Sequence, residues 1–178
     1  ENSTKPISQY TNVAENLNRV LVDPTVSVQA APNTVRDFTS DPANNSTFGT
    51  LAFNRVFTNN TGAPLTSLRF RIIKLTTFPA PSGTSDLRPR TFAGGSVTTA
   101  GGPVTVVGTT LEHPPSQPNG GGWNTSLSVP SVTLGTPLAN GASANVQLLF
   151  GIQQTGTYRF AVLLEGLPGA SHLWYVAG

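Results

Sequence analysis

The feature that most constrains this chain is a period-two alternation of apolar residues, cut into short pieces by Gly and Pro. In "SLRFRI", Leu68, Phe70 and Ile72 share one face while Arg69 and Arg71 share the other. "NVQLLFGIQ" aligns Val146, Leu148, Phe150 and Ile152, and "TYRFAVLLE" aligns Tyr158, Phe160, Val162 and Leu164. Successive side chains of a strand point to opposite faces of its sheet, so this pattern specifies strands with one buried face. "PVTVVGTT", "TSLSVPSVTL" and "SHLWYVA" continue the series. No long amphipathic helix pattern interrupts it, and short strands between turn signals predict an all-β fold, an antiparallel β-sandwich.

The links between alternating runs carry turn chemistry. "TNNTGAP" separates "LAFNRVF" from "SLRFRI" and predicts a hairpin across 51–72, with Pro64 closing the turn. Gln153-Gln154-Thr155-Gly156 predicts a second hairpin between the runs at 146–152 and 158–164. Leu51, Phe53 and Phe57 share a face with Arg55, which predicts a bulge or a partner over the opposite face.

Residues 1–49 read differently from the sandwich domain at 50–178 and form an N-terminal extension. Tyr10, Val13, Leu17, Val20 and Leu21 follow an i, i+3, i+4 rhythm that admits a short helix. Alternation then takes over, with Val20 and Val22 before Asp23-Pro24, and Val26 and Val28 after it. "DFTSDPANNST" reads as a loop. The extension is either the first strand of the chain's own sandwich or a strand that completes a neighbouring subunit.

Composition narrows the function classes. Charged residues are 10% of the chain, well below the usual quarter, so charge-driven disorder is not the reading. The basic pI of about 9.4 rests on a net charge of only +2, and no Lys/Arg run exists to line a nucleic-acid groove. Absence of Cys removes disulfides, thiolate nucleophiles and cysteine metal sites. With no Met, not even at position 1, the chain is expected to begin after removal of a signal peptide, in an extracellular or cell-surface setting. No apolar run approaches the ~20 residues of a membrane-spanning helix.

Catalytic patterns are not found. The two histidines, His113 between prolines and His172 near the end, have no metal-ligand spacing, and neither H-E-x-x-H nor G-x-S-x-G occurs. The expectation is a non-enzyme without a cofactor. Asp41 in "DPANNST" offers oxygen ligands, but a capped turn is the better reading than a calcium loop. "AGGSVTTAGGP" and "PNGGGWN" lack the ending of a phosphate loop and read as turns or loops. Trp123, Trp174 and Tyr175 are candidates for a sugar-stacking platform. Asn2, Asn44, Asn45, Asn59 and Asn124 each begin a glycosylation sequon.

From "FNRVFTNNTGAPLTSLRFRI" through "GTTLEHPPSQPNGGGWNTSLSV" to "NVQLLFGIQQTGTYRFAVLLEGLP", the chain resembles immunoglobulin-like β-sandwich modules of bacterial secreted and surface proteins. That resemblance covers roughly residues 50–168 and implies a spacer, stalk or adhesive role. A looser resemblance, to pilin subunits that polymerise by donor-strand exchange, lies in the alternating extension before an incomplete sandwich. It implies that Val20, Val22, Val26 and Val28 are the side chains donated to a neighbour, so that copies of the chain join head to tail. The expected function is thus a structural subunit of an extracellular filament or surface layer, with covalent glycans as a further partner. The competing expectation is a monomeric surface module binding glycans through Trp123, Trp174 or Tyr175.

Overall fold

The computed structural model describes residues 11–12, 17–76, 83–112 and 125–168. Its strands in chain order are β1 (Thr11–Asn12), β2 (Leu17–Leu21), β3 (Thr34–Asp37), β4 (Thr50–Asn59), β5 (Leu65–Lys74) and β6 (Asp86–Arg90). Then follow β7 (Gly94–Thr99), β8 (Gly102–Val107), β9 (Thr110–Glu112), β10 (Ser126–Ser128), β11 (Ser143–Gln154) and β12 (Ala161–Pro168). No α-helix occurs among the described residues; a single 3-10 turn spans Pro42–Asn44.

Two sheets pack face to face. One has the order β1-β12-β5-β10-β9; the other runs β2-β4-β11-β8-β7, with β3 also on β4 and β6 also on β11. Pairing is antiparallel except for one parallel bridge between Val107 and Val146. The core lies between the sheets, where Leu68, Phe70, Ile72, Val146 and Phe150 are fully buried. Phe57 meets Phe70 and Phe53 meets Phe160, each with ring centroids 4.8 Å apart. Fully burying one such side chain contributes about 1.5–3 kcal/mol, so this cluster is what holds the sheets together. The alternation thus specifies an all-β sandwich, as the sequence predicts.

Both predicted hairpins turn out to be arches. β4 and β5 lie in different sheets, and so do β11 and β12. The Asn60–Pro64 link therefore crosses the sandwich, and the apolar faces of β4 and β5 meet through the core instead of lying side by side. Asn59 fixes this crossing: its buried Nδ2 donates to Ala63 O at 2.8 Å and Leu138 O at 2.9 Å. Its Oδ1 accepts from Thr61 N and Thr61 Oγ1 at 3.0 and 2.7 Å. A backbone folded tightly around a satisfied Asn reaches the opposite sheet without stranding a polar group.

Three further expectations change. The β4–β11 register is unbroken from Thr50↔Gly151 to Thr58↔Ser143, so β4 has no bulge at Arg55. Instead Arg55 Nη1 turns to the carbonyls of Asn33 and Asn54, at 2.6 and 2.7 Å. Residues 17–21, read as the end of a short helix, form strand β2, because pairing with β4 overrides a weak helical rhythm. "AGGSVTTAGGP" supplies a strand and a tight hairpin, with Thr99 opposite Gly102 in the β7–β8 ladder. Gly102, at φ +110, adopts the turn conformation that a Cβ disfavours.

Candidate functional site

The N-terminal strands sit on the outer strands of both sheets. Thr11 and Asn12 pair with Gly166 and Glu165 of β12, while β2 pairs with β4 from Leu17↔Asn59 to Leu21↔Arg55. β2 and β3 share one edge of β4 in series, β2 on its C-terminal half and β3 on its N-terminal half, from Thr34↔Phe53 to Asp37↔Thr50.

Between β2 and β3 the chain is tied down by two side chains. Asn33 Oδ1 accepts from Asp23 N at 2.9 Å, and Asn33 Nδ2 donates to Asp23 O at 2.7 Å and Ser27 O at 3.2 Å. The Asp23 carboxylate accepts from Thr25 N at 2.9 Å and from Ala100 N, in the β7–β8 turn, at 2.7 Å. These hydrogen bonds, the Thr25 hydroxyl first and Ala100 N next, hold the Asp23 carboxyl below its ordinary 3.8.

The four valines singled out in the sequence fall on two sides of this tie. Val20 lies within β2 opposite Val56 and is 55% exposed. Val22 follows β2 and is half-buried. Val26 and Val28 lie outside any strand, Val26 at a bend and Val28 in the turn closed by Ala30 N to Ser27 O. The Asp23–Asn33 tie takes the backbone groups that a continuous strand through this region would need.

The sequons within the described residues differ in access. Asn44 is exposed and donates to the Asp41 carboxylate, and exposed Asn45 accepts from Gln153 Nε2 at 3.0 Å. Asn59 is fully buried and its amide is spent on two carbonyls, so the folded domain offers no acceptor there. Asn2, Asn124, Trp123, Trp174 and Tyr175 lie outside the described residues, as do both histidines. Asp41 faces Asn44 and Arg90, whose Nη2 is 3.3 Å from the carboxylate, and serves as a turn clasp. Among the described residues no group of three His, Asp or Glu side chains is placed to hold a metal ion. No helix there is long and apolar enough to cross a membrane.

One surface feature escaped the sequence reading. A cleft of about 270 Å³ opens between the end of β3 and the arch after β11, floored by Leu51, Leu87 and Ile152. Phe38, 78% exposed, and Tyr158, 43% exposed, form its rims, with Arg36 carried over the Phe38 ring at 4.2 Å. Phe38 belongs to a stretch read as plain loop. The only local signal was the Arg36-x-Phe38 spacing, which continues the alternation of β3 by one residue.

No protein-family model, curated protein or solved structure matches the chain. What the architecture defines is a class: a two-sheet, antiparallel-rich β-sandwich.

Proposed function

We propose that this chain is a structural subunit of an extracellular filament or surface layer, joined to its neighbours by strand exchange. The observation that carries this reading is the placement of β2. It is a short strand at one edge of β4, preceding the point where Asp23 and Asn33 anchor the chain. A strand outside the anchor can leave its own domain while residues 23–37 stay in place. Its departure exposes the N–H and C=O groups of β4 at Arg55–Asn59, the template that an incoming strand satisfies. The β2 of a second copy reproduces the same ladder in trans, from Leu17 opposite Asn59 to Leu21 opposite Arg55, and head-to-tail repetition builds an open polymer.

In this reading the donated strand is 17–21 with Val22 as its hinge, and Val20 is its member of the valine set. Val26 and Val28 remain with their own domain. A bacterial surface fits this role and rests on the sequence resemblance, while attached glycans at Asn44 or Asn45 rest on their sequons and their exposure. The test is electron microscopy of the full chain beside a version lacking residues 1–21. Filaments from the first and monomers from the second support exchange. Monomers from both overturn it and favour the monomeric glycan-binding module.

A further inference from the structure

The cleft beside Phe38 plays no part in strand exchange, and its chemistry indicates a ligand. Its floor is made of core residues, Leu51, Leu87 and Ile152, each no more than 6% exposed. Aromatic rims on both sides make it a slot for a flat or branched apolar group, and its size suits a single ring.

Arg36 gives the slot its polarity. Its Nη1 donates to Asp37 O and Thr50 O, and its Nη2 donates to Phe48 O. These bonds to three backbone carbonyls fix the guanidinium over the Phe38 ring. A guanidinium has five N–H donors, so the Nε–H and the second Nη2–H remain after those three contacts. Arg36 forms no ion pair with a carboxylate among the described residues, whereas Arg69, Arg71, Arg88 and Arg90 all do. Among the described residues that line the cleft there is no Asp or Glu. Asp37, next in the chain and outside the cleft lining, is a nearby counter-charge; within the slot itself, a fixed cation beside an apolar surface is complementary to an anion that carries an apolar body.

The geometry points to a binding site for a small carboxylate bearing an aromatic or branched apolar group. The apolar body sits between Phe38 and Tyr158 over Leu87 and Ile152, and the carboxylate meets Arg36. A Phe held 78% exposed by a stacked Arg is pre-organised for this, because little side-chain freedom is lost on binding.

The test uses the full chain, with 3-phenylpropionate as the probe and 3-phenylpropionamide as its neutral match, followed by backbone amide shifts. The carboxylate is expected to bind about tenfold more tightly than the amide, with shifts centred on residues 36–38, 87 and 152–158. Arg36→Gln should abolish the preference. Since Arg36 also supports three carbonyls, Phe38→Ala is the second variant: it removes an exposed ring and should weaken both probes about tenfold with the fold unchanged. Equal binding of the two probes, shifts elsewhere, or no binding at the probe's solubility limit each overturn the proposal. Shifts at the cleft from methyl glucopyranoside but not from the carboxylate also overturn it, in favour of a neutral sugar site.

Discussion

Arg69 and Glu165 stand directly opposite one another in the β5–β12 ladder, and Arg69 Nε donates to Glu165 Oε2 at 2.6 Å. Arg71 Nε donates to the other carboxylate oxygen at 2.8 Å, and Glu112 approaches Arg69 at 3.7 Å. Arg69 and Arg71 alternate with Leu68, Phe70 and Ile72, so they occupy the face of β5 turned away from the core. Arg69 is nevertheless fully buried and Glu165 is 3% exposed. The side of the sheet that alternation assigns to solvent is here a buried layer of paired charges.

Replacing Glu165 by Ala removes the closest carboxylate from a buried guanidinium. Breaking such a pair from one side costs about 3–5 kcal/mol, because the remaining charge stays desolvated. The urea midpoint of Glu165→Ala is therefore expected to fall well below that of the parent. Added salt should leave the parent's midpoint nearly unchanged, since counterions do not reach the pair. A fall of less than 1 kcal/mol would mean that the network adds no more than an exposed ion pair.

Asn59 is expected to be the most sensitive polar residue of the β4–β5 arch. Asn59→Ala removes one donor each from the carbonyls of Ala63 and Leu138, which keep Thr61 Oγ1 and Leu65 N, and leaves Thr61 N without its acceptor. Unsatisfied buried groups cost about 1–3 kcal/mol each before relaxation, and thermal unfolding measures the sum. Asn60→Ala, at the exposed neighbour, serves as the control and should change little.

Stability should fall in acid in a way that depends on Asp23. Its carboxyl in the folded chain titrates below the ordinary 3.8, through bonds from Thr25 and Ala100. The stabilisation is thus fully present above that unfolded value and is lost as pH falls through the lower folded one. Denaturation midpoints measured from pH 6 down to pH 2 should drop more steeply for the parent than for Asp23→Asn. Parallel curves would show that the tie to the β7–β8 turn does not depend on the charge.

The partner of β2 can be fixed chemically, because the chain has no Cys. Val20 and Val56 are cross-strand partners, and such pairs have Cα atoms about 4.5–5.5 Å apart, within disulfide range. Val20→Cys combined with Val56→Cys, oxidised after assembly, should give a covalent ladder on a non-reducing gel if β2 is donated between copies. A single monomer band with the disulfide formed would place β2 on its own β4 and sink strand exchange through this edge.

The sequence by itself determined the inward faces of the long central strands. Apolar alternation at Leu68-Phe70-Ile72 and Val146-Leu148-Phe150-Ile152 matches the period of a pleated strand, and both sets lie in the core. It could not determine which strand pairs with which. A short polar link fits a hairpin or an arch equally well, and period two fixes a side chain's face without choosing its neighbour. Contacts such as Phe57 on Phe70 made that choice. They also carried β4 and β5, and likewise β11 and β12, into opposite sheets. The N-terminal strand was half legible: Val20 is in it, but the Asp23–Asn33 tie that ends it joins residues ten positions apart. The cleft was barely legible. Beyond the Arg36-x-Phe38 spacing, the pair at 36–38, Leu87, and the pair Ile152 and Tyr158 come from separate parts of the chain, and only tertiary packing brings them to one cleft.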